Sequence, residues 1–205
     1  ATTTVSTSTI NLIANPSMET VSTTTATLPF AWNTNKWGTN TATFTYLSTG
    51  AGDGNRAVNV NMSAFTSGDA KWYHAAATVT PGKSYTFSNM YLSNATTSVI
   101  LEYKNNSNVL SYVTLSSNVA PSSVWKSQSY TFTVPTNIKS VIVYHVIARV
   151  GSLSVDKYNL FDPSSVATST ATSTATSTAT STATSTNATT TVSTSTINLI
   201  ANPSM

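Results

Sequence analysis

The chain contains no cysteine in 205 residues. That excludes a disulfide frame, a thiol nucleophile and a thiolate metal site. Charge is scarce too: 7% of the residues are Asp, Glu, Lys or Arg, against about 25% in ordinary globular chains. A surface so poor in ions must be coated with hydroxyls and amides, and Thr, Ser and Asn fill that place. The nine Lys and Arg are scattered, and no basic run is available to neutralise a phosphate backbone, so nucleic acid is not an expected partner. No apolar run reaches the roughly 18 residues of a membrane helix, and no membrane insertion is expected in this segment. Catalytic patterns are missing as well. His74 and His145 lack the spacing of a metal-binding HExxH. The loop "GAGDG" is not followed by the Lys-Ser/Thr of a phosphate loop. Nothing in the spacing pairs two of the six acids as a glycosidase requires, so the chain is not expected to be an enzyme.

What the sequence does have is a repeat. "ATTTVSTSTINLIANPSM" fills positions 1–18 and returns unchanged at 188–205, a period of 187 residues (188 minus 1). An identity of that length marks a tandem array whose units are long enough to fold singly. Residues 1–9 read as the end of a Thr/Ser-rich linker and 10–163 as a folded β-sandwich domain. Residues 164–196 read as a linker holding five copies of ATST, and 197–205 as the first strand of the next repeat. The linker has no large side chain with which to build a core. It is compatible with a stalk or, because Thr favours extended chain, with a strand added to a sheet edge.

The 40% of hydrophobic residues lie in short runs between turn signals. "AVNVNM", "KWYHAAATV", "YTFSNMYL", "SVILEY", "VLSYVTL", "WKSQSYTFTV", "SVIVYHVIARV" and "SLSVDKYNLF" are divided by segments such as "GAGDGN", "TPGKS", "NNSN" and "PTN". No segment carries a helical apolar period. The pattern predicts an all-β, antiparallel two-sheet sandwich. Alternation assigns faces. Tyr130, Phe132 and Val134 are expected in the core. The strand "SVIVYHVIARV" is apolar on both faces and is expected to be covered on both. In "KWYHAAATV", counting by twos groups Tyr73, Ala75, Ala77 and Val79 inward and leaves Trp72 and His74 outward.

Four stretches, in order, resemble carbohydrate-binding modules of the family 4, 9 and 22 group: "NLIANPSMET", "TPGKSYTFS", "SVWKSQSYTFTVP" and "GSLSVDKYNLFD". The resemblance covers about Ile10 to Asp162. It implies a jelly roll with a concave sheet that takes sugar chains. It also implies a structural calcium held by carboxylates at the matching positions Glu19 and Asp156, although Lys157 stands where the group has a second Asp. No motif requires another cofactor. For sugar binding, the residues expected to present stacking faces and polar edges are Trp37, Trp72, His74 and Tyr112.

Two functions follow as expectations. The first is a structural repeat unit of a long extracellular fibre or cell-surface protein, whose partners are further copies of itself. In a sharper version the repeated segment (Ile10, Leu12 and Ile13, with Ile197, Leu199 and Ile200 in the second copy) passes between units as a donated strand. The second is a carbohydrate-binding module of a secreted glycan-degrading enzyme or adhesin, with polysaccharide as partner.

Overall fold

A computed structural model describes residues 10–165. The ATST tract and Ile197, Leu199 and Ile200 lie outside the described residues. Among the described residues there is no helix. The described residues form eleven strands: β1 (Trp32–Trp37), β2 (Asn40–Leu47), β3 (Ala57–Phe65), β4 (Asp69–His74), β5 (Ala77–Thr78), β6 (Ser84–Ser93), β7 (Thr97–Asn105), β8 (Leu110–Val119), β9 (Ser122–Thr133), β10 (Ile138–Val146) and β11 (Gly151–Phe161). They build a five-stranded sheet, β2-β3-β11-β6-β9, and a four-stranded sheet, β5-β10-β7-β8, with a separate ribbon of β1 and β4. Every pairing is antiparallel. The all-β jelly-roll reading of the sequence holds.

The core lies between the two sheets. Val58, Val60, Phe87, Tyr91, Leu153 and Val155 come from one, and Val99, Leu101, Val141 and Val143 from the other. Phe132 and Val134 are buried with them and Tyr130 packs against them, as alternation predicts. In β10, Val141, Val143, Tyr144, His145 and Val146 are all buried, so this strand is covered on both faces.

Strict alternation is broken in "KWYHAAATV". Trp72 and His74 are buried, not outward. The stretch is two strands, β4 and β5, broken at Ala75–Ala76. Counting by twos across that break inverts every face assignment upstream of it, because a one-residue slip exchanges the two sides of a strand. The Trp72 Nε1–H donates to the Asn59 carbonyl at 2.8 Å, and its ring meets Phe44 edge-on. His74 packs edge-on against Trp32 and Tyr158.

The opening segment is used by its own domain. The Leu12 N–H donates to the Leu160 carbonyl at 2.8 Å, and the Tyr158 N–H to the Pro16 carbonyl at 2.9 Å. The Asn11 amide does the rest of a strand's work: its Nδ2 donates to the Tyr158 carbonyl and its Oδ1 accepts the Leu160 N–H. Ile13 and Met18 are buried in the core, while Ile10 is exposed. This corrects the donated-strand expectation for Ile10, Leu12 and Ile13: the first copy completes the domain to which it is already joined. Asn15, next to Pro16, explains the Asn-Pro pair of the motif. Its side chain donates to the carbonyls of Thr20 and Phe30 and accepts the Thr20 N–H, pinning the following loop.

Both histidines are neutral links in the core. The His145 Nδ1 faces amide nitrogens of Asn89 and Gln128, each 3.1 Å away. It must therefore accept, leaving the Nε2–H to donate to Thr97 Oγ1 at 2.7 Å. The His74 Nδ1–H donates to the Ala75 carbonyl, and its Nε2 accepts the Val143 N–H at 3.1 Å. Burial pushes His74 down to about 4 and His145 down to about 3.

The loop between β2 and β3 is braced by the two carboxylates that the resemblance assigns to calcium. Glu19 Oε1 accepts the N–H groups of Asn55 and Arg56 at 2.8 and 2.9 Å. Asp156 Oδ2 accepts those of Gly52 and Asp53 at 2.9 and 2.8 Å, and its Oδ1 accepts the Lys157 N–H. Gly54 has a φ of +67°, and a Cβ there would run into the Glu19 carboxylate. Burial pushes the Asp156 carboxyl up to about 6, against the pull of these amides.

Two outcomes are expected. Between about pH 4 and 6 the unfolded chain holds two more protons on its histidines and one fewer on Asp156. The histidine stability is complete above about 6.5 and is lost on acidification, while Asp156 contributes in the opposite direction. The net loss is about 1.4 kcal/mol per pH unit of acidification across that window. The unfolding free energy extrapolated from urea curves should fall with this slope, and His145→Gln, which leaves one histidine against one aspartate, should flatten it. Second, Glu19→Ala should cost about 1 kcal/mol by freeing two loop amides. Wild-type urea curves with added calcium and with chelator should superimpose.

Candidate carbohydrate-binding groove

The groove is made where the β1–β4 ribbon, seated beside the open edge of β10, brings Trp37, Asp69 and Lys71 to the outer face of the four-stranded sheet. Register sets the floor. Ile100 on β7 stands opposite Tyr144 on β10 and Thr114 on β8, and Glu102 stands opposite Tyr112. Alternation turns these residues away from Val99, Leu101 and Tyr103, which point into the core. The wall is the far end of the ribbon, where Trp37 pairs directly with Asp69. Two glycines shape that end. Gly38 and Gly68 have φ of +81° and +88°, and a Cβ on Gly68 would collide with the Trp37 carbonyl. Only glycine permits this approach of the two turns. The Asn40 Nδ2 ties them by donating to the carbonyls of Trp37 and Ser67.

The result is a cavity of about 420 Å³ lined by Trp37, Asp69, Lys71, Ile100, Tyr112, Thr114, Tyr144 and Val146. Two large aromatic rings are offered to solvent at its rim: Trp37 is 61% exposed and Tyr112 60%. Between them runs a chain of polar contacts. The Trp37 Nε1–H donates to Asp69 Oδ2 at 2.6 Å. Asp69 Oδ1 pairs with Lys71 Nζ at 2.6 Å. That ammonium lies 5.1 Å from the centre of the Tyr144 ring, within cation–π range. The hydroxyls of Tyr144 and Tyr112 both donate to Glu102 Oε2, at 2.7 and 3.0 Å. Burial, and then Glu102, push both phenols upward, so both remain proton donors at neutral pH.

Of the four residues expected to bind sugar, the structure brings Trp37 and Tyr112 into one groove. Trp72 and His74 are excluded by burial on the core-facing side of the ribbon. Sequence reasoning missed Asp69, Lys71, Glu102 and Tyr144. Glu102 did carry a signal: it is the one charge within the mostly apolar run "SVILEY", on the face opposite Val99, Leu101 and Tyr103. Tyr144 carried none, because its strand is apolar on both sides.

Glu19, in the opening segment, and Asp156, on β11, both hold the β2–β3 loop, but their donor set does not fit a calcium ion. Calcium requires six to eight oxygens. The Asp156 oxygens and Glu19 Oε1 already accept backbone N–H groups. Asp53 accepts from Ser17 and pairs with the Lys157 ammonium at 3.4 Å, so a cation is already in place. Among the described residues no group of three or more acidic or histidine side chains is gathered for a metal.

No family model matches the sequence, and no curated protein does. Solved structures do match. The enzymatically active domain of tailspike protein 4 of bacteriophage CBA120 has a TM-score of 0.59 at 14% identity, covering 74% of this chain and 21% of that one. The CBM22-1 xylan-binding domain of Paenibacillus barcinonensis Xyn10C has a TM-score of 0.54 at 10% identity, covering 76% of this chain and 96% of that one. The CBM22-1–GH10 modules of Clostridium thermocellum endo-1,4-β-D-xylanase 10B, complexed with xylohexaose, have a TM-score of 0.51 at 13% identity, covering 64% and 26%. The chain thus spans about a fifth of the tailspike and a quarter of the xylanase structure. At these identities the likeness is one of fold, and the fold is the β-jelly roll of family 22 and related carbohydrate-binding modules.

Proposed function

We propose that the domain is a carbohydrate-binding module that takes a polysaccharide chain across the groove. The observation that carries this reading is the pair of exposed rings, Trp37 and Tyr112, opening on one cavity. A sugar ring has an apolar face and a polar edge. Exposed aromatics match the first, and Glu102 with the two phenols between them matches the second. The xylan-binding domain among the structural neighbours supports the same reading.

The reading is one of binding without catalysis. Asp69 has both carboxylate oxygens bonded, one to Trp37 and one to Lys71. Glu102 is thereby left without the second free carboxylate that glycoside hydrolysis requires. An extracellular location fits a ligand of this class, and among the described residues no helix is long and apolar enough to cross a membrane. The fibre role expected from the exact repeat rests on the sequence alone, and the neighbours favour the sugar-binding reading over it. Display of the module in tandem, beside further copies of itself, is what the repeat adds.

Titration calorimetry and affinity electrophoresis against soluble xylan, galactan, mixed-linkage glucan and an acidic polysaccharide test the proposal. At least one should bind. Trp37→Ala and Tyr112→Ala should each weaken that binding about ten-fold, roughly 1.4 kcal/mol, with unchanged circular dichroism. Wild-type affinity in both variants would place any binding outside the groove.

A further inference from the structure

The sugar-binding reading names the two rings that touch ligand but not what holds them in place. We infer that Lys71 is a positioning residue that fixes the Trp37 ring against the Tyr112 ring, acting through Asp69 on one side and through Tyr144 on the other.

Trp37 is 61% exposed and sits at the tip of a two-stranded ribbon, where its own strand β1 is mostly exposed. An exposed indole on such a tip would turn freely about its side-chain bonds. Its one directional restraint is the 2.6 Å bond from Nε1–H to Asp69 Oδ2. Asp69 can give that restraint only if its own carboxylate is held and neutralised, because it is almost buried, with a side chain 12% exposed. Lys71 does both. It stands two residues along the same strand, on the same side, and places its ammonium 2.6 Å from Asp69 Oδ1. Its side chain is 10% exposed. The ammonium is thus enclosed between a carboxylate and the Tyr144 ring, where the weak screening makes both attractions stronger than on an open surface.

Tyr144 passes the restraint on. Its ring is also met by Tyr73, edge-on at 6.0 Å. Its hydroxyl shares Glu102 Oε2 with Tyr112. The ribbon and the sheet are separate ladders, and across the groove the Lys71–Tyr144 contact joins them. A ligand that stacks on both rings then meets them already oriented, and the ordering cost of binding falls.

The inference rests on the sugar-binding reading, and its test separates the two. The indole N–H of Trp37, identified by its loss in Trp37→Phe, is followed by NMR in ligand-free protein, and affinity is measured for the polysaccharide that wild type binds. Lys71→Met should speed exchange of the Trp37 indole N–H at least ten-fold and weaken binding about ten-fold. Lys71→Arg, which keeps both the ion pair and the cation–π contact, should restore most of each. Asp69→Leu/Lys71→Met removes the indole's acceptor together with its counter-ion and leaves no buried charge unpaired, so it keeps the test open should Lys71→Met alone unfold, and it should show the same two losses. Unchanged indole exchange in Lys71→Met, or in the double variant, overturns the inference. So does affinity within two-fold of wild type. If wild type binds no polysaccharide the sugar-binding reading fails, and indole exchange alone then decides the role of Lys71.

Discussion

Beyond Val141, β10 has lost its neighbour. The two-residue β5 pairs only with Ser140 and Val141, and the rest of that edge would leave buried N–H and C=O groups without partners. The β1–β4 ribbon supplies them. The Val143 N–H goes to the His74 ring, and Ile147 and Ala70 exchange two backbone hydrogen bonds, of 2.9 and 3.0 Å. These few bonds seat the ribbon on the sheet, and everything at the groove follows from that seat. They set which face of β10 is covered, they carry Tyr73 onto Tyr144, and they put Trp37 and Asp69 above Ile100 and Tyr112. His74 is therefore a structural residue with a functional effect, which is a different role from the ligand contact that its sequence position suggested.

Elements with uninterrupted alternation were legible in the sequence. Tyr130, Phe132 and Val134 sit where counting by twos puts them, and the loop "GAGDGN" turns where its glycines allow. The Asn-Leu-Ile and Asn-Pro pieces of the opening motif have clear physical roles, since both asparagines stand in for missing backbone partners. The site was half legible. Trp37 and Tyr112 were found because exposed aromatics beside turns or opposite apolar neighbours are visible in a pattern. Trp72 and His74 were misplaced by one irregular step at Ala75–Ala76, which a period-two count cannot detect. Asp69, Lys71 and Tyr144 were invisible because their meeting depends on how a separate ribbon lies over a sheet, and no local pattern encodes that.

Scarcity of charge makes each charge informative. Glu19 and Asp156 hold the β2–β3 loop, and Asp53 joins Ser17 to Lys157. Asp69 and Glu102 order the groove, and Asp162 caps the turn at Ser164, where those bonds hold its carboxyl below the usual range. Each acid fixes a backbone turn or a ring that the uncharged surface would otherwise leave loose. The general surface, meanwhile, is served by hydroxyl pairs such as Thr86–Thr131 and Ser84–Thr133 across β6 and β9.

The seam between the opening segment and β11 has a mechanical meaning. Leu12 meets Leu160 and Pro16 meets Tyr158, so the two run in opposite directions and the chain enters and leaves the domain at one corner. Tension applied through both flanks pulls that corner apart. It loads Asn11 and Leu12 first and reaches Pro16 only after they have let go, as a zipper opens tooth by tooth. Strands pulled lengthwise in shear break all their bonds together and resist strongly; this geometry yields at low force and recloses readily. Placed in a string of copies, such a domain would behave as an extensible link whose first yielding residues are not among those that line the groove.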